Sequence, residues 1–221
     1  MEIQGANSKM YFNELNDLLG GLEKHISIIG TTNSGKTTVA KMLHTNTKYR
    51  SIFFNSQDEA VDGFRTYKWD ISLLKDHKKL NFIPDWKGDR ATSQLQVITN
   101  DLREIALRTG DRSRKTEIIV FVDESHNIAL QGQKDTPLHW IFKQGHRHNV
   151  TGVSITQSPA DLDKGIVRQA DFHIIFRVND FESQYFKAKN IPIDQVKDQL
   201  KDHKFTIYDN EKFLGIFELN L

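Results

Sequence analysis

"IIGTTNSGKTTVAK" occupies residues 28–41, and from Gly30 to Thr37 it follows the spacing G-x-x-x-x-G-K-T. An apolar run, His25 to Ile29, precedes it, and a helix-like run, Thr37 to Leu43, follows. That is the strand, loop and helix order that a phosphate loop requires. Glycines let the chain wrap so that successive N–H groups point inward at phosphate oxygens, and the helix that follows adds the positive end of its dipole. The stretch Gly30, Thr31, Thr32, Asn33, Ser34, Gly35, Lys36, Thr37 and Thr38 is therefore expected to cradle nucleotide phosphates. Lys36 is expected to bridge the β- and γ-phosphates of ATP, and the Thr37 hydroxyl to coordinate Mg²⁺.

Elements alternate on both sides of this loop. Helical spacing is read over 9–19, 36–44, 93–110, 136–145 and 161–169, and strands over 25–29, 51–55, 117–125, 152–157 and 172–178. Residues 69–89 read as irregular, and 204–219 as two strands around Asp209-Asn210, a hairpin. Strand–helix alternation predicts an α/β fold with a mainly parallel central sheet flanked by helices. The 221 residues, 38% hydrophobic and 27% charged, suit one domain with a proper core, its ATP-binding part over about 22–180 and a C-terminal helix and hairpin over 181–221.

Lys plus Arg (30) nearly cancel Asp plus Glu (29), so any contact with a polyanion must be local. The absence of cysteine excludes disulfides and thiolate metal sites and fits a reducing setting. "MEIQGANSKMYFNELNDLLGG" has no basic region followed by an apolar one, and no window approaches 18 apolar residues. The expectation is a cytoplasmic protein that neither enters the secretory route nor spans a membrane.

A second chemical signal is "IIVFVDESHN", 118–127, an apolar strand ending in two carboxylates. Asp123 is expected to hold the Mg²⁺ water shell, and Glu124 to orient and partly deprotonate an attacking water, which makes water the acceptor. The third is "TQSP", 156–159, where Gln157 at a strand end could hydrogen-bond that water or sense the γ-phosphate. Upstream, Arg147 stands between two histidines in "GHRHNV" and could reach the γ-phosphate of a neighbouring subunit, a role for which Arg168 and Arg177 compete.

With "GTTNSGKTT", "IIVFVDESHN" and "GHRHNVTGVSITQSPADL", the chain resembles the FtsK/HerA superfamily of RecA-like DNA-pumping ATPases over about 150 residues, His25 to Val178. It resembles most the small genome packaging ATPases of icosahedral viruses with internal membranes, including turreted archaeal viruses. The resemblance implies a RecA-like P-loop NTPase of the ASCE type. Within it Lys36 and Thr37 bind nucleotide and magnesium, Asp123 is the Mg²⁺ carboxylate, Glu124 the catalytic base, Gln157 the sensor and Arg147 the trans-acting finger candidate. It also implies a homo-oligomeric ring, hexamer or pentamer, around double-stranded DNA, with capsid or internal-membrane vertex proteins as further partners. Cellular members usually carry extra β-barrel, membrane or DNA-reading domains, for which this chain has no room, so the viral type is implied.

Two basic clusters, 75–90 with Phe82 and Trp86 and 108–115, read either as DNA-gripping loops or as solvated surface. His126 within "DESH" looks like the DExH helicases, but those need two RecA-like domains in one chain. Two other functions share the phosphate loop: a small-molecule kinase and a slow nucleotide-gated assembly switch.

Overall fold

The computed structural model describes residues 8–109, 117–187 and 190–219. In chain order its elements begin with β1 (Ser8–Met10), α1 (Phe12–Leu18), β2 (Ile26–Ile29), α2 (Lys36–Asn46), β3 (Arg50–Phe54) and β4 (Phe64–Thr66). They continue through α3 (Leu73–Asp76), β5 (Lys79–Phe82), α4 (Arg90–Thr109), β6 (Ile118–Val122), α5 (Pro137–Gln144) and β7 (Val150–Thr156). The chain closes with α6 (Lys164–Gln169), β8 (Phe172–Ile175), α7 (Asp180–Lys187), β9 (Phe205–Tyr208) and β10 (Phe213–Leu219).

Among the described residues ten strands form one sheet in the order β1-β10-β9-β8-β2-β7-β6-β3-β5-β4. All neighbours pair in parallel except β9 with β8 and with β10, so the hairpin is the antiparallel margin of an otherwise parallel sheet. Strands β2, β6, β7 and β8 are buried along their whole length, which a sheet covered on both faces demands of their apolar runs. On one face α1 and α2 lay Leu15, Val39 and Leu43 against Ile26, Ile28, Phe121 and Ile155. On the other face Leu95, Ile98 and Leu102 of α4, with Ile141 and Phe142 of α5, cover Phe54, Val120 and Val122. A third cluster joins Phe186 of α7 and Ile193 to Ile175, Tyr208 and Ile216 beneath the hairpin.

The strand order fixes where chemistry can occur. Because β2, β7 and β6 are consecutive and parallel, the loops that follow them emerge side by side at one edge, the carboxyl ends where open α/β sheets bind ligands. The phosphate loop, Gln157 and the Asp123-Glu124 pair follow those three strands.

Two expectations are corrected. Residues 69–89 are not irregular throughout, because β5 lies between β3 and β4 in parallel register. Its Asn81 hid the strand in the sequence; buried, it is satisfied by the Asn55 side-chain amide, which donates to Asn81 Oδ1 at 3.0 Å, and by donating to the Val61 carbonyl at 3.3 Å. The helix read over 9–19 begins later, since Ser8–Met10 pairs with Phe217–Leu219, a partner more than 200 residues away that no local pattern reveals. Of the basic cluster at 108–115, residues 110–115, among them the glycine that was expected to end α4, lie outside the described residues.

Candidate functional site

The loop between β2 and α2 is built so that no side chain fills it. A Cβ on Gly30 would lie 2.6 Å from Phe176 Cβ and 2.7 Å from Ser34 Oγ. Gly35 takes φ 107°, a value that favours glycine, as the residue before α2, and Asn33 turns with φ 58°. The loop is anchored from both sides: Gly30 N–H donates to the Thr156 carbonyl at 3.3 Å and Thr31 N–H to the Arg177 carbonyl at 2.9 Å. Lys36 is buried, and its Nζ donates to the Thr31 carbonyl at 2.8 Å, folded across the loop it would share with a γ-phosphate. Burial lowers its pKa, while Glu124 and Asp123 pull it back up. Ser34 Oγ is buried without a partner. A bare cradle at a helix N-terminus, a desolvated ammonium and an orphaned hydroxyl together fit an anionic ligand.

Asp123, 4% exposed, stands at the end of β6 and accepts from Ser56 Oγ at 2.6 Å. Burial pushes its carboxyl up, with the Ser56 bond opposing. Among the described residues no group of three carboxylates or histidines could hold a metal by itself. One buried carboxylate with nearby hydroxyls fits Mg²⁺, which keeps waters and takes its remaining ligands from phosphates. The residues present therefore suit Mg²⁺ brought in with a nucleotide.

Glu124 occupies the left-handed region, φ 48° and ψ 45°, a backbone state that non-glycine residues adopt seldom and often at functional sites. Its side chain is 15% exposed, and Oε2 is buried without a hydrogen-bond donor, 3.3 Å from His126 Nδ1. Burial first, then Asp123, raises its pKa, and Lys36 lowers it. The carboxylate is thus more basic than an exposed one, as a proton acceptor for water should be. Gln157, just past β7, accepts from the Thr32 hydroxyl at 2.7 Å and so touches the phosphate loop directly.

The arginines separate. Arg147 is exposed in a 3₁₀ turn before β7, at the edge opposite the phosphate loop. The seven residues of β7 put it about 20 Å from its own loop, so any contact it makes with a nucleotide is made across an interface. Arg168 ends α6 and faces the same remote edge beside His173 and Asn210. Arg177 instead lies against its own loop, with Nε 3.5 Å from Thr31 Oγ1. With Asn33, Ser34, Leu200, Asp202 and His203 it lines a cleft of about 150 Å³ next to that loop.

Sequence reasoning missed Ser56, Thr156 and the 200–203 segment. A polar residue just past the apolar run of β3 was the one available signal for Ser56; the 200–203 segment reaches the loop only through tertiary packing. The 75–90 cluster loses most of its grip as a mobile loop: Phe82 is in the core, and Lys79 Nζ donates to the Thr47 and Tyr49 carbonyls at 2.7 and 3.1 Å. Arg90 pairs with Asp85 at 2.7 Å. Lys75 and Lys78 remain free of this, lining with Lys48, Arg50, Asp76 and Glu117 a groove of about 810 Å³ at the start of β3 and β6.

No family model matches the chain. Protein P9 of Pseudoalteromonas phage PM2 is 25% identical over 203 residues, covering 80% of this chain and 85% of P9. The genome packaging NTPase B204 of Sulfolobus turreted icosahedral virus 2, in complex with ATPγS, superposes with a TM-score of 0.70 at 17% identity over 90% of this chain and 99% of B204. B204 of Sulfolobus turreted icosahedral virus, a DNA-packaging ATPase, gives 0.69 at 17% identity over 90% and 98%. VirB4 of Thermoanaerobacter pseudethanolicus gives 0.57 at 10% identity over 89% of each chain. The chain has the α/β fold of these solved structures; in it a mostly parallel sheet is flanked by helices, and the phosphate loop lies at the carboxyl edge of that sheet.

Proposed function

We propose that this chain is one RecA-like domain that hydrolyses ATP to move double-stranded DNA, in the manner of a viral genome packaging motor. The observation that carries the reading is Glu124: a half-buried carboxylate with a free oxygen, at the end of the strand beside Gln157 and electrostatically coupled to Lys36. That arrangement activates water, where a phosphotransferase would exclude it.

In this reading the Gly30 to Thr38 loop holds the phosphates, through Lys36 and the N–H groups that are not spent on anchoring the loop as those of Gly30 and Thr31 are. Thr37 and Asp123 would hold Mg²⁺, which when bound neutralises charge on the phosphate oxygens. Glu124 takes the proton of the attacking water, and Gln157 registers the γ-phosphate through Thr32. Arg147 reaches the site of the next subunit in a homo-oligomeric ring, hexamer or pentamer, and stabilises transition-state charge there. The similarity to packaging NTPases supports DNA as the substrate, and the Lys48-Arg50-Lys75-Lys78 groove offers a local contact for its backbone on a chain that is otherwise nearly neutral. Capsid or internal-membrane vertex proteins are the further partners and the host cytoplasm the setting; among the described residues no helix is long and apolar enough to cross a membrane.

Two variants test the chemistry. Glu124→Gln should retain nucleotide affinity and lose on the order of 10²-fold or more in turnover. Lys36→Ala should weaken nucleotide binding itself. Phosphate transfer to a small acceptor, with no release in its absence, would replace hydrolysis by a kinase activity.

A further inference from the structure

A nucleoside triphosphate held by the phosphate loop has a direction, and the strand order sets it. Glu124 follows β6 and Gln157 follows β7, both on one flank of β2, where Gln157 meets Thr32. A γ-phosphate that faces these two groups leaves the α-phosphate and the nucleoside to the other flank, that of β8 and β9. On that flank lies the cleft of about 150 Å³ in which Asn33, Ser34 and Arg177 face Leu200, Asp202 and His203.

The second wall of the cleft is built before any ligand arrives. Leu200 is 1% exposed in the cluster beneath the hairpin, and the fully buried Phe205 packs on Phe176 with ring centroids 5.2 Å apart, so the four residues between them are pinned at both ends. Lys204 N–H closes the turn on the Lys201 carbonyl at 3.0 Å. Asp202 and His203 take consecutive left-handed backbone, φ 53° and 64°, and both are exposed. His203 reaches the phosphate loop itself: a Cβ on Gly35 would lie 3.6 Å from its Nδ1. Among the described residues neither the Asp202 carboxylate nor the His203 ring is spent on a hydrogen bond or ion pair. A planar ring offers a face to a base, and a carboxylate accepts from ribose hydroxyls.

We infer that the Leu200–His203 turn is the nucleoside subsite, with His203 stacking on the base and Asp202 accepting from the ribose hydroxyls. This rests on the phosphate loop holding a nucleoside triphosphate. It gives the segment past Val178, where the family resemblance ends, a part in choosing the substrate.

Equilibrium binding of ATP and of inorganic tripolyphosphate to the full chain separates this subsite from the loop, since the second ligand keeps the phosphates and lacks the nucleoside. His203→Asn removes the ring and suits the left-handed backbone. It should raise the Kd for ATP about 10-fold or more, as loss of a stacked base requires, while the Kd for tripolyphosphate holds. Asp202→Gly, which also tolerates its backbone, should abolish the wild-type preference for ATP over 2′,3′-dideoxy-ATP. Variants that bind these ligands as the wild type does, or that lose tripolyphosphate as much as ATP, overturn the inference. A wild type that binds tripolyphosphate as tightly as ATP overturns it too, and leaves the phosphate loop standing. A wild type that binds neither overturns the phosphate-loop reading, and this inference with it. Should a variant fail to fold, photolabelling of the wild type with 8-azido-ATP decides: label on residues 200–204 is expected, and label only elsewhere contradicts the proposal.

Discussion

Gly30 shows how little room the chemistry leaves at single positions. Phe176, against which a Gly30 Cβ would press, is 1% exposed and packs on Phe205 with ring centroids 5.2 Å apart, so it has nowhere to move. Gly30→Ala should cost about 1–3 kcal/mol in overpacking. It should also lower nucleotide affinity, as followed by melting temperature and fluorescent-nucleotide binding; an unchanged melting temperature would show that the loop is looser than described. The phosphate loop was legible because its demands are local and contiguous: every group from Gly30 to Thr38 is supplied by one short stretch. Asp123 and Glu124 were legible for the same reason, as the end of an apolar strand. Ser56 and Thr156 were not, because what they do is set by partners 67 and 30 residues away.

At the scale of elements, β5 is the instructive case. Four residues with a central Asn81 carry no strand signal, and the Asn55 side-chain amide and the Val61 carbonyl together make that asparagine acceptable in a core. Phe82 at its end is fully buried and stacks on Phe54 at 5.5 Å. Phe82→Ala should therefore cost about 3–5 kcal/mol by urea unfolding. A cost within about 0.5 kcal/mol, the usual range of surface substitutions, would return residues 75–90 to a loop. The long apolar strands β6 and β7 were read within three residues of their ends, since burial on both faces writes itself into sequence; the short marginal strands β1 and β4 depend on neighbours the sequence does not name.

Taken whole, the molecule buries histidines that must stay neutral. Burial lowers His44 and His173 to about 4 and His25 to about 3, from an ordinary 6.5. Their folded pKa values lie below the unfolded ones, so the stability they contribute is complete above pH 6.5 and is lost as pH falls towards 4. Between pH 7 and 5 the loss should be on the order of 2 kcal/mol per histidine, visible as a falling urea midpoint. A midpoint independent of pH over that range would contradict their burial.

The proposed assembly is tested at the same scale. Arg147 is remote from its own loop, so Arg147→Ala mixed with Lys36→Ala should recover part of the ATPase rate that each lacks alone. No recovery would move the finger to Arg168 or remove it. The central claim, a motor on duplex DNA, is tested most directly by steady-state ATP hydrolysis against rising concentrations of long duplex DNA at two salt concentrations. The account predicts a rate that rises with DNA and rises less at the higher salt, as phosphate contacts by the Lys48-Arg50-Lys75-Lys78 groove require. Hydrolysis that proceeds at one rate whatever the DNA or salt, in protein shown to be assembled, would contradict it.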